Sequence, residues 1–423
     1  MSRKVIESVN NKVLTALLET VSYVRDKSPF YATHFQGFEK YNESNFSEQE
    51  FKKLPFTTKD DLSINNNSFR CVAKNKIAEY VTTSGTTGSP ISLFLTKKDL
   101  HRLAKNEKDS LSLMGHTSDD LFQLLTTIDK QFMAGIAYFL GVQELEAGMI
   151  RLGPGVPKLQ WESILKYEPT VLIAVPSFVV TLIQYAKENN IDYNNTSIKS
   201  IVCIGEPIRN DDLSSNILGK RITDNWNIAI FSTYASTEMG AAFSECTAQK
   251  GCHLNEDLLY LEVIKDDGTE ANNGESGEII ITTLGVEGTP LVRYKTGDIS
   301  KVYREKCECG SSTPRLGPII GRKNQMIKFK GTTLYPKAIF DALEEFEAIT
   351  CYKVLVQKDE LGNDEIVILL EDKFKTHSQL GAIKDRCREK LRVLPQFQFM
   401  EANKLRALVY KKHMRKPEKI KFL

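Results

Sequence analysis

Small residues and hydroxyls crowd one short stretch of the chain, Val81-Thr82-Thr83-Ser84-Gly85-Thr86-Thr87-Gly88-Ser89-Pro90. Glycines let a backbone approach an anion closely, and successive N–H groups and hydroxyls donate hydrogen bonds to phosphate oxygens. A Walker P-loop would need Gly-Lys-Ser/Thr at the start of a helix, whereas residues 91–96 alternate like a strand. The stretch therefore predicts a phosphate-binding hairpin tip of the kind that holds ATP. A polar turn without a ligand is the alternative. The candidate binding residues are Ser84, Gly85, Thr86, Thr87 and Gly88.

A second segment combines small hydroxyl residues with one carboxylate. It reads Phe231-Ser232-Thr233-Tyr234-Ala235-Ser236-Thr237-Glu238-Met239-Gly240 and follows a predicted strand at 228–231. Mg²⁺ keeps several waters and takes one or two protein oxygens together with phosphate oxygens, so a single carboxylate beside a nucleotide suits it. The segment predicts a Mg²⁺ site at Glu238. A carboxylate at the start of a surface helix is the alternative.

Two later segments could contact the rest of a nucleotide. Asp298 follows Gly297 where a predicted strand ends in a turn, and an ionised Asp can accept hydrogen bonds from both hydroxyls of a ribose. The basic, glycine-bounded segment 321–331 lies where the texture of the chain changes, so it could meet an anion and act as a hinge. An ordinary Gly-Asp turn and a solvated basic strand are the respective alternatives.

Five sulfur and imidazole side chains form a separate pattern. Cys246, Cys252 and His253 lie close together in the sequence, and Cys307-Glu308-Cys309-Gly310 adds a Cys-x-Cys knuckle. Three cysteine sulfurs and one imidazole make a closed tetrahedral Zn²⁺ site of the structural kind. Five candidates compete for four positions, and free buried thiols beside a surface histidine are the alternative.

The segments that must position these residues differ in their sequence patterns. Between about 120 and 240, apolar strand-like runs such as 170–175 and 200–205 alternate with helical patterns such as 178–187, and this predicts a layered α/β sheet. A β-rich stretch follows from about 258 to 305. Beyond Gly321 the pattern predicts a compact α+β unit with helices over 337–346 and 378–391 and strands over 352–357 and 365–370.

Composition excludes several classes of protein. The 423 residues include 56 Lys and Arg against 54 Asp and Glu, so no bulk charge favours nucleic acid or an anionic membrane. The most apolar stretch, 171–183, is too short to span a bilayer and contains Pro176. The first residues carry no apolar signal segment, so we predict a cytoplasmic protein whose 8 cysteines are thiols or metal ligands.

The order of these segments resembles the acyl-adenylate-forming superfamily and, within it, the phenylacetate-CoA ligase family. The likeness also includes Ser28-Pro29-Phe30-Tyr31, residues 54–62 and Gly205-Glu206-Pro207, so it spans nearly the whole chain. It implies an α/β fold with a large N-terminal adenylate-forming domain over 1–322, built of layered sheets and helices plus a β-rich segment. A small, mobile α+β C-terminal domain over 323–423 would follow a hinge near 323–325.

The resemblance also implies an activity. Enzymes of this family are ligases that make an acyl-AMP from a small carboxylic acid and ATP, release pyrophosphate and then form a CoA thioester. Aromatic and small residues over 132–138 suit a flat apolar acid, so we expect an aryl or arylacetic substrate. Transfer to a carrier-protein thiol or another acceptor, and a non-catalytic nucleotide-binding relative, are the alternatives. Relatives are often homodimers, although no residue pattern here identifies an interface.

Residue roles follow from the same likeness. Residues 84–88 would hold the β- and γ-phosphates, Glu238 the Mg²⁺, Asp298 the ribose hydroxyls and Arg322 a ribose or phosphate oxygen. Adenine would lie against Tyr234 and the Glu206-Pro207 turn. The predicted nucleotide-binding residues outside the hydroxyl-rich loop are Gly205, Glu206, Pro207, Ser232, Tyr234, Ala235, Ser236, Thr237, Asp298 and Arg322.

Two further assignments rest on the resemblance. The family takes a catalytic lysine from a Gly-Lys segment near its end, and Lys419 matches by position, although Pro417-Glu418 replaces the usual glycine and other lysines lie nearby. Some relatives bind zinc through Cys…His…Cys-x-Cys, which leaves Cys252 as a spare. The expected zinc ligands are Cys246, His253, Cys307 and Cys309, a clamp for the β-rich segment.

Overall fold

The computed structural model describes residues 11–38, 40–83, 91–329, 332–358, 364–376, 378–410 and 417–423, without the side chain of Thr333. Contacts divide these residues into two compact units. The first holds the described residues up to Thr296 together with Ser300–Pro318, and the second holds Gly297–Ile299 and Ile319–Leu423. Each unit is described by itself.

The first unit alternates helices with strands. Its helices are α1 (Asn11–Lys27), α2 (Pro29–His34), α3 (Glu48–Lys53), α4 (Lys59–Ile64), α5 (Lys97–Leu113), α6 (Met133–Glu144), α7 (Pro157–Tyr167), α8 (Pro176–Glu188) and α9 (Ile217–Thr223), with 3₁₀ turns at Asn66–Phe69, Lys74–Lys76 and Tyr193–Asn195. Its strands up to the middle of the chain are β1 (Glu79–Thr82), β2 (Ser92–Leu95), β3 (Leu121–Leu124), β4 (Gly148–Arg151), β5 (Val171–Ala174), β6 (Ser200–Cys203) and β7 (Ala229–Ser236). The later strands are β8 (Ala241–Glu245), β9 (Cys252–His253), β10 (Leu259–Ile264), β11 (Ser276–Thr283), β12 (Tyr294–Tyr303) and β13 (Arg315–Leu316), and the residues Gly297–Ile299 of β12 are counted with the second unit.

Five of these strands form a parallel sheet in the order β4-β3-β5-β6-β7. Successive side chains of a strand point to opposite faces, and this alternation separates two cores. Leu172 and Ala174 pack with Trp161 and Trp226, whereas Val171 and Ile173 pack with the cluster that contains Tyr138. Burial on both faces explains why the sequence of the central strand β5 is continuously apolar.

The sheet continues as an antiparallel extension. Strand β7 pairs antiparallel with β8, β8 with β9, β9 with β13 and β13 with β12. Strands β11 and β10 complete the order. Strand β7 is therefore the junction, with parallel pairing on one side and antiparallel pairing on the other.

The second unit is a smaller α+β structure. It contains β14 (Gly321–Arg322), a 3₁₀ turn at Lys323–Gln325, β15 (Ile327–Phe329), β16 (Thr332–Leu334), α10 (Pro336–Glu344), β17 (Tyr352–Lys358), β18 (Asp364–Glu371), a 3₁₀ turn at Asp372–Lys375, α11 (Leu380–Leu391), β19 (Gln396–Met400), α12 (Ala402–Val409) and β20 (Ile420–Phe422). Four strands form a sheet in the order β19-β18-β17-β20. Helices α10 and α11 cover one face and α12 packs on the other.

The predicted α/β fold is confirmed, including its later β-rich segment and its α+β part. Residues 178–187 are helical as predicted, and the helix begins two residues earlier because proline suits its first turn. No helix in the described part of the chain is long and apolar enough to cross a membrane.

Candidate functional site

The hydroxyl-rich loop connects the two strands of a hairpin. Strands β1 and β2 pair antiparallel, with Thr82 opposite Ser92. Beyond that pair, the Thr83 amide donates to the Ile91 carbonyl at 3.0 Å, and the Ile91 amide donates to Thr83 Oγ1 at 3.1 Å. The predicted phosphate-binding residues Ser84, Gly85, Thr86, Thr87 and Gly88 lie outside the described residues. Their role stays a prediction.

Two other predicted segments meet at one edge of the parallel sheet. Strands β6 and β7 are neighbours, with Cys203 opposite Ser232. The Gly205-Glu206-Pro207 turn follows the carboxyl end of β6. Strand β7 carries the predicted residues Ser232, Tyr234, Ala235 and Ser236, and Thr237 comes next. Ligands of open α/β sheets bind beyond the carboxyl ends of the strands, so this edge is where a nucleotide site is expected.

The carboxylate of Glu206 caps a helix. Its two oxygens accept from the Ser177 amide at 2.9 Å and from the Ser177 hydroxyl at 3.0 Å, in the first turn of α8. Gly205 has φ +74°, a conformation that glycine adopts without strain. Asn216 donates to the Pro207 carbonyl at 2.9 Å. These bonds fix the turn, and they occupy the Glu206 side chain.

Glu238 lies in the turn between β7 and β8 and is half-buried. The Met239 amide donates to Ser236 Oγ at 3.3 Å, which closes the turn. The buried Tyr294 hydroxyl donates to Glu238 Oε1 at 3.4 Å. A carboxylate held on one oxygen keeps acceptor capacity for a cation.

Arg102 donates a hydrogen bond to the backbone of this turn, and the sequence analysis missed this residue. Its guanidinium donates to the Gly240 carbonyl at 2.5 Å, to the Leu258 carbonyl at 2.5 Å and to the Leu284 carbonyl at 2.9 Å. The residue is 7% exposed, and burial lowers the pKa of Arg102 to about 10. Arg102 therefore connects three chain segments that are distant in sequence, and one of them follows directly after Glu238. An arginine on the buried face of α5 is the signal that could have been noticed.

A second buried charge, also missed, supports strand β7. Glu245 is 1% exposed and accepts from the Ser232 amide at 2.8 Å. Arg209 donates to both Glu245 oxygens at 2.9 Å each, and to the Ile230 carbonyl at 2.9 Å. A buried bidentate pair with further hydrogen bonds specifies one geometry for the strand end.

Helices α5 and α6 lie beside the residues predicted to bind the acid. Tyr138 of α6 is buried, and its hydroxyl bonds to Thr233 next to Tyr234. Glu107 of α5 is 4% exposed. One of its oxygens accepts from Asn106 at 3.2 Å and the other, Oε2, has no hydrogen-bond partner among the described residues. Burial raises the pKa of Glu107 to about 7, so much of it is protonated near neutrality.

Asp298 and Arg322 come together within the second unit. Their residues are opposite each other in the β12–β14 ladder, and Arg322 Nε donates to Asp298 Oδ1 at 3.1 Å. The Asp298 side chain is 13% exposed and the Arg322 side chain 48%. The two predicted ribose-side residues are thus brought into contact.

Lys419 precedes strand β20 of the second unit. Its ammonium lies 2.6 Å from Glu344 Oε1, and the same oxygen accepts from the Tyr352 hydroxyl at 2.6 Å. The Lys419 and Glu344 side chains are 35% and 32% exposed. The ammonium therefore lies on the α10 face of the sheet, paired and partly open to solvent.

Four of the five metal-ligand candidates converge in the first unit. The ligand atoms of Cys246, His253, Cys307 and Cys309 all lie within 4.8 Å of one another. Cys246 Sγ is 3.7 Å from Cys307 Sγ, and Cys309 Sγ is 3.6 Å from His253 Nε2. Cys252 lies apart from the cluster, because its thiol donates to the Ser232 carbonyl at 3.5 Å.

The surroundings of this cluster favour metal ligation by His253. Its other ring nitrogen, Nδ1, lies 2.8 Å from Thr313 Oγ1, which orients the ring. Burial and the positive charge of Arg315 lower the pKa of His253 to about 4, so the imidazole is neutral. The Cys307 amide donates to the Ser311 carbonyl at 2.9 Å and closes the Cys-x-Cys knuckle.

The fold and the site define the class of protein. The sequence profile of the AMP-binding enzyme family matches residues 3–287, and the chain belongs to this family. The resemblance predicted from the sequence motifs is confirmed.

The individual relatives have low sequence identity to this chain. The chain is 26% identical to the phenylacetate-coenzyme A ligase of Thermus thermophilus over 87% of this chain and 84% of that ligase. It is 25% identical to the phenylacetate-coenzyme A ligase of Escherichia coli over 78% of this chain and 75% of that one. A crystal structure of 2-hydroxyisobutyryl-CoA ligase with R3-HIB-AMP, in the postadenylation state, superposes with a TM-score of 0.82 at 20% identity and covers 97% of this chain and 89% of the ligase.

Proposed function

We propose that this chain is an ATP-dependent acid–CoA ligase that activates an aryl or arylacetic acid as its acyl-AMP and then forms the CoA thioester. The observation that carries the proposal is the meeting of the Gly205–Pro207 turn with the Ser232–Glu238 segment at the carboxyl ends of β6 and β7. Membership of the AMP-binding enzyme family and the two phenylacetate-coenzyme A ligases support it.

The nucleotide contacts are assigned residue by residue from the resemblance to the family. Adenine lies against Tyr234 and the Gly205–Pro207 turn, and residues 84–88 hold the β- and γ-phosphates. Asp298 takes the ribose hydroxyls, with Arg322 beside it. Glu238 would hold Mg²⁺, because its carboxylate is half-exposed and held on one oxygen. When bound, the ion neutralises phosphate charge.

The first step is in-line attack of the substrate carboxylate on the α-phosphorus, with pyrophosphate as the leaving group. Positioning and charge neutralisation carry most of the catalysis in such a transfer. Lys419 supplies a positive charge to this step. In the second step the CoA thiol attacks the acyl carbonyl and AMP leaves.

Exchange of labelled pyrophosphate into ATP tests this function. We expect exchange that depends on an added acid such as phenylacetate, and a CoA thioester when CoA is present. Glu238→Gln should lower exchange at limiting Mg²⁺, and Lys419→Ala should abolish it. Exchange without a CoA thioester would favour a carrier-protein acceptor, and no exchange with any aryl or arylacetic acid would reject the ligase proposal.

We also propose that Cys246, His253, Cys307 and Cys309 bind one structural Zn²⁺. With Zn–S of about 2.3 Å and Zn–N of about 2.0–2.1 Å, a tetrahedral ion separates two sulfurs by about 3.8 Å and a sulfur and a nitrogen by about 3.6 Å. The corresponding separations here are 3.7 Å and 3.6 Å. The donor set and these two separations fit the ion.

Metal analysis tests the zinc proposal with a matched control. We expect about one zinc per chain in the purified protein and loss of that zinc in Cys307→Ser. Cys252→Ser removes another buried cysteine, one outside the cluster, and should keep the metal. Zinc retained in Cys307→Ser, or lost equally from both variants, would contradict the assignment.

The homodimer and the cytoplasmic location stay predictions.

A further inference from the structure

The residue before Lys419 has a partner of its own on the opposite face of the sheet. Lys419 contacts Glu344 of α10 and the Tyr352 ring. Glu418 instead lies 2.5 Å from the ammonium of Lys353, which also donates to the Leu408 carbonyl of α12 at 3.0 Å. Two neighbouring residues are thus anchored on opposite faces of β17.

The chain turns sharply between these anchors. The Lys419 amide donates to the Pro417 carbonyl at 3.1 Å, which closes a γ-turn centred on Glu418. The Glu418 amide donates to the Val409 carbonyl, and the Lys419 carbonyl accepts from the Val354 amide, both at 2.8 Å. Strand β20 that follows is only three residues long. Short strands fray unless other contacts hold them in place.

The Lys353 ammonium connects this turn to strand β17 through the Glu418 carboxylate. Lys353 is 3% exposed, and a buried ammonium requires a carboxylate partner because its charge has lost water. The Glu418 side chain, 22% exposed, supplies that carboxylate. Moving the turn would separate the pair, so the burial of Lys353 restrains the backbone of the neighbouring Lys419.

We propose that the Lys353–Glu418 ion pair positions Lys419 for adenylation, taking over at this turn from the glycine that the family's Gly-Lys segment would place there. The inference rests on the proposed function, because it assumes that Lys419 serves the adenylation step. Glu418 and Lys353 are positioning residues, since both act through Lys419.

Half-reactions separate positioning from folding. In the full chain, with phenylacetate as the acid, Glu418→Gln should lower acid-dependent pyrophosphate exchange at least tenfold. Formation of phenylacetyl-CoA from supplied phenylacetyl-AMP and CoA should stay within twofold, because that step does not use Lys419. The control Glu345→Gln breaks another close ion pair of the same unit, that with Arg386 at 2.5 Å, and should leave both half-reactions within twofold.

A paired variant guards against loss of folding. Lys353→Met with Glu418→Met removes both charges and leaves no buried charge unpaired, so the unit should stay folded by circular dichroism while exchange remains at least threefold low. Equal loss of both half-reactions, or wild-type exchange in the paired variant, would overturn the inference. A Lys419→Ala protein with normal exchange would instead reject the role of Lys419 in the proposed function. Loss of exchange in Lys419→Ala together with normal exchange in Glu418→Gln would reject only the positioning role.

Discussion

The segment of Glu238 and the segment of Lys419 are held in different ways. Around Glu238, buried charged side chains fix the backbone: Arg102 donates to three carbonyls, and the Glu245 carboxylate accepts from the Ser232 amide. The Lys419 ammonium pairs with a Glu344 side chain that is one-third exposed. Buried bonds are costly to break, whereas a half-exposed ion pair is exchanged for another anion at little cost. The first region is built to stay in place, and the second side chain is free to change partners.

The largest expected effect comes from removing the buried donor beneath Glu238. Arg102→Met leaves two buried carbonyls and one part-buried carbonyl without their donor, so we expect the free energy of unfolding to fall by about 4 kcal/mol. Urea unfolding followed by tryptophan fluorescence measures this, because Trp161 and Trp226 both lie in the core of the first unit. Arg25→Met is the control. It also loses two carbonyl contacts, but at a part-buried site, and a loss as large as that of Arg102→Met would contradict the argument from burial.

The second effect is a pH dependence in the same unit. The pKa of Glu107 rises from 4.5 to about 7 on burial, so the unfolded chain ionises at lower pH than the folded protein. The free energy of unfolding should therefore fall by about 3 kcal/mol in all as pH rises from about 4.5 to 7. Above that pH it should stay level. Glu107→Gln should flatten this part of the curve, whereas Gln at the exposed Glu144 should leave its slope unchanged. Equal slopes in wild type and Glu107→Gln would exclude Glu107 as the source.

The third effect is confined to the Glu238 carboxylate. Tyr294→Phe removes the hydroxyl 3.4 Å from Glu238 Oε1 and should raise the KM for MgATP about threefold, or ~0.7 kcal/mol, with kcat little changed. The same substitution in a Glu238→Gln background should add nothing. An unchanged effect there would mean that Tyr294 acts through another group.

The smallest effect tests the other side of the comparison. Glu344→Gln should change the stability of the second unit by less than about 1 kcal/mol, because the pair with Lys419 is one-third exposed. Hydrogen exchange of the β17 amides, measured by mass spectrometry, reports on this unit. A loss of several kcal/mol would mean that Glu344 stabilises its unit as strongly as the buried Arg102 stabilises the first unit. The two regions would then not differ in how they are held.

Much of the fold could be predicted because its signals are local. The continuous apolar runs at 171–174 and 200–203 are strands of the parallel sheet, and the helix and strand pattern beyond Gly321 matches α10, β17, β18 and α11. Strand β19, helix α12 and strand β20 were not predicted. They are only 5, 8 and 3 residues long, so each offers few residues from which a pattern can be recognised.

The resemblance to the family favoured Cys246, His253, Cys307 and Cys309 as metal ligands, and the structure brings their ligand atoms together. The residue types alone left five candidates for four positions. Cys252 shows the limit of that reasoning. It is adjacent to His253 in a strand, so its side chain points to the opposite face, and the register of the sheet decides which of the two joins the cluster.

The sequence by itself determined which side chains are candidates for the chemistry and in what order they occur, because hydroxyls, carboxylates, thiols and glycines keep their properties in any fold. Only the tertiary structure decided what holds them. Arg102 reaches carbonyls 138, 156 and 182 residues away, and Lys353 meets a carboxylate 65 residues away. A local pattern reports that a position is buried, but the partner of a buried charge arrives from a distant segment. Packing alone selects that partner.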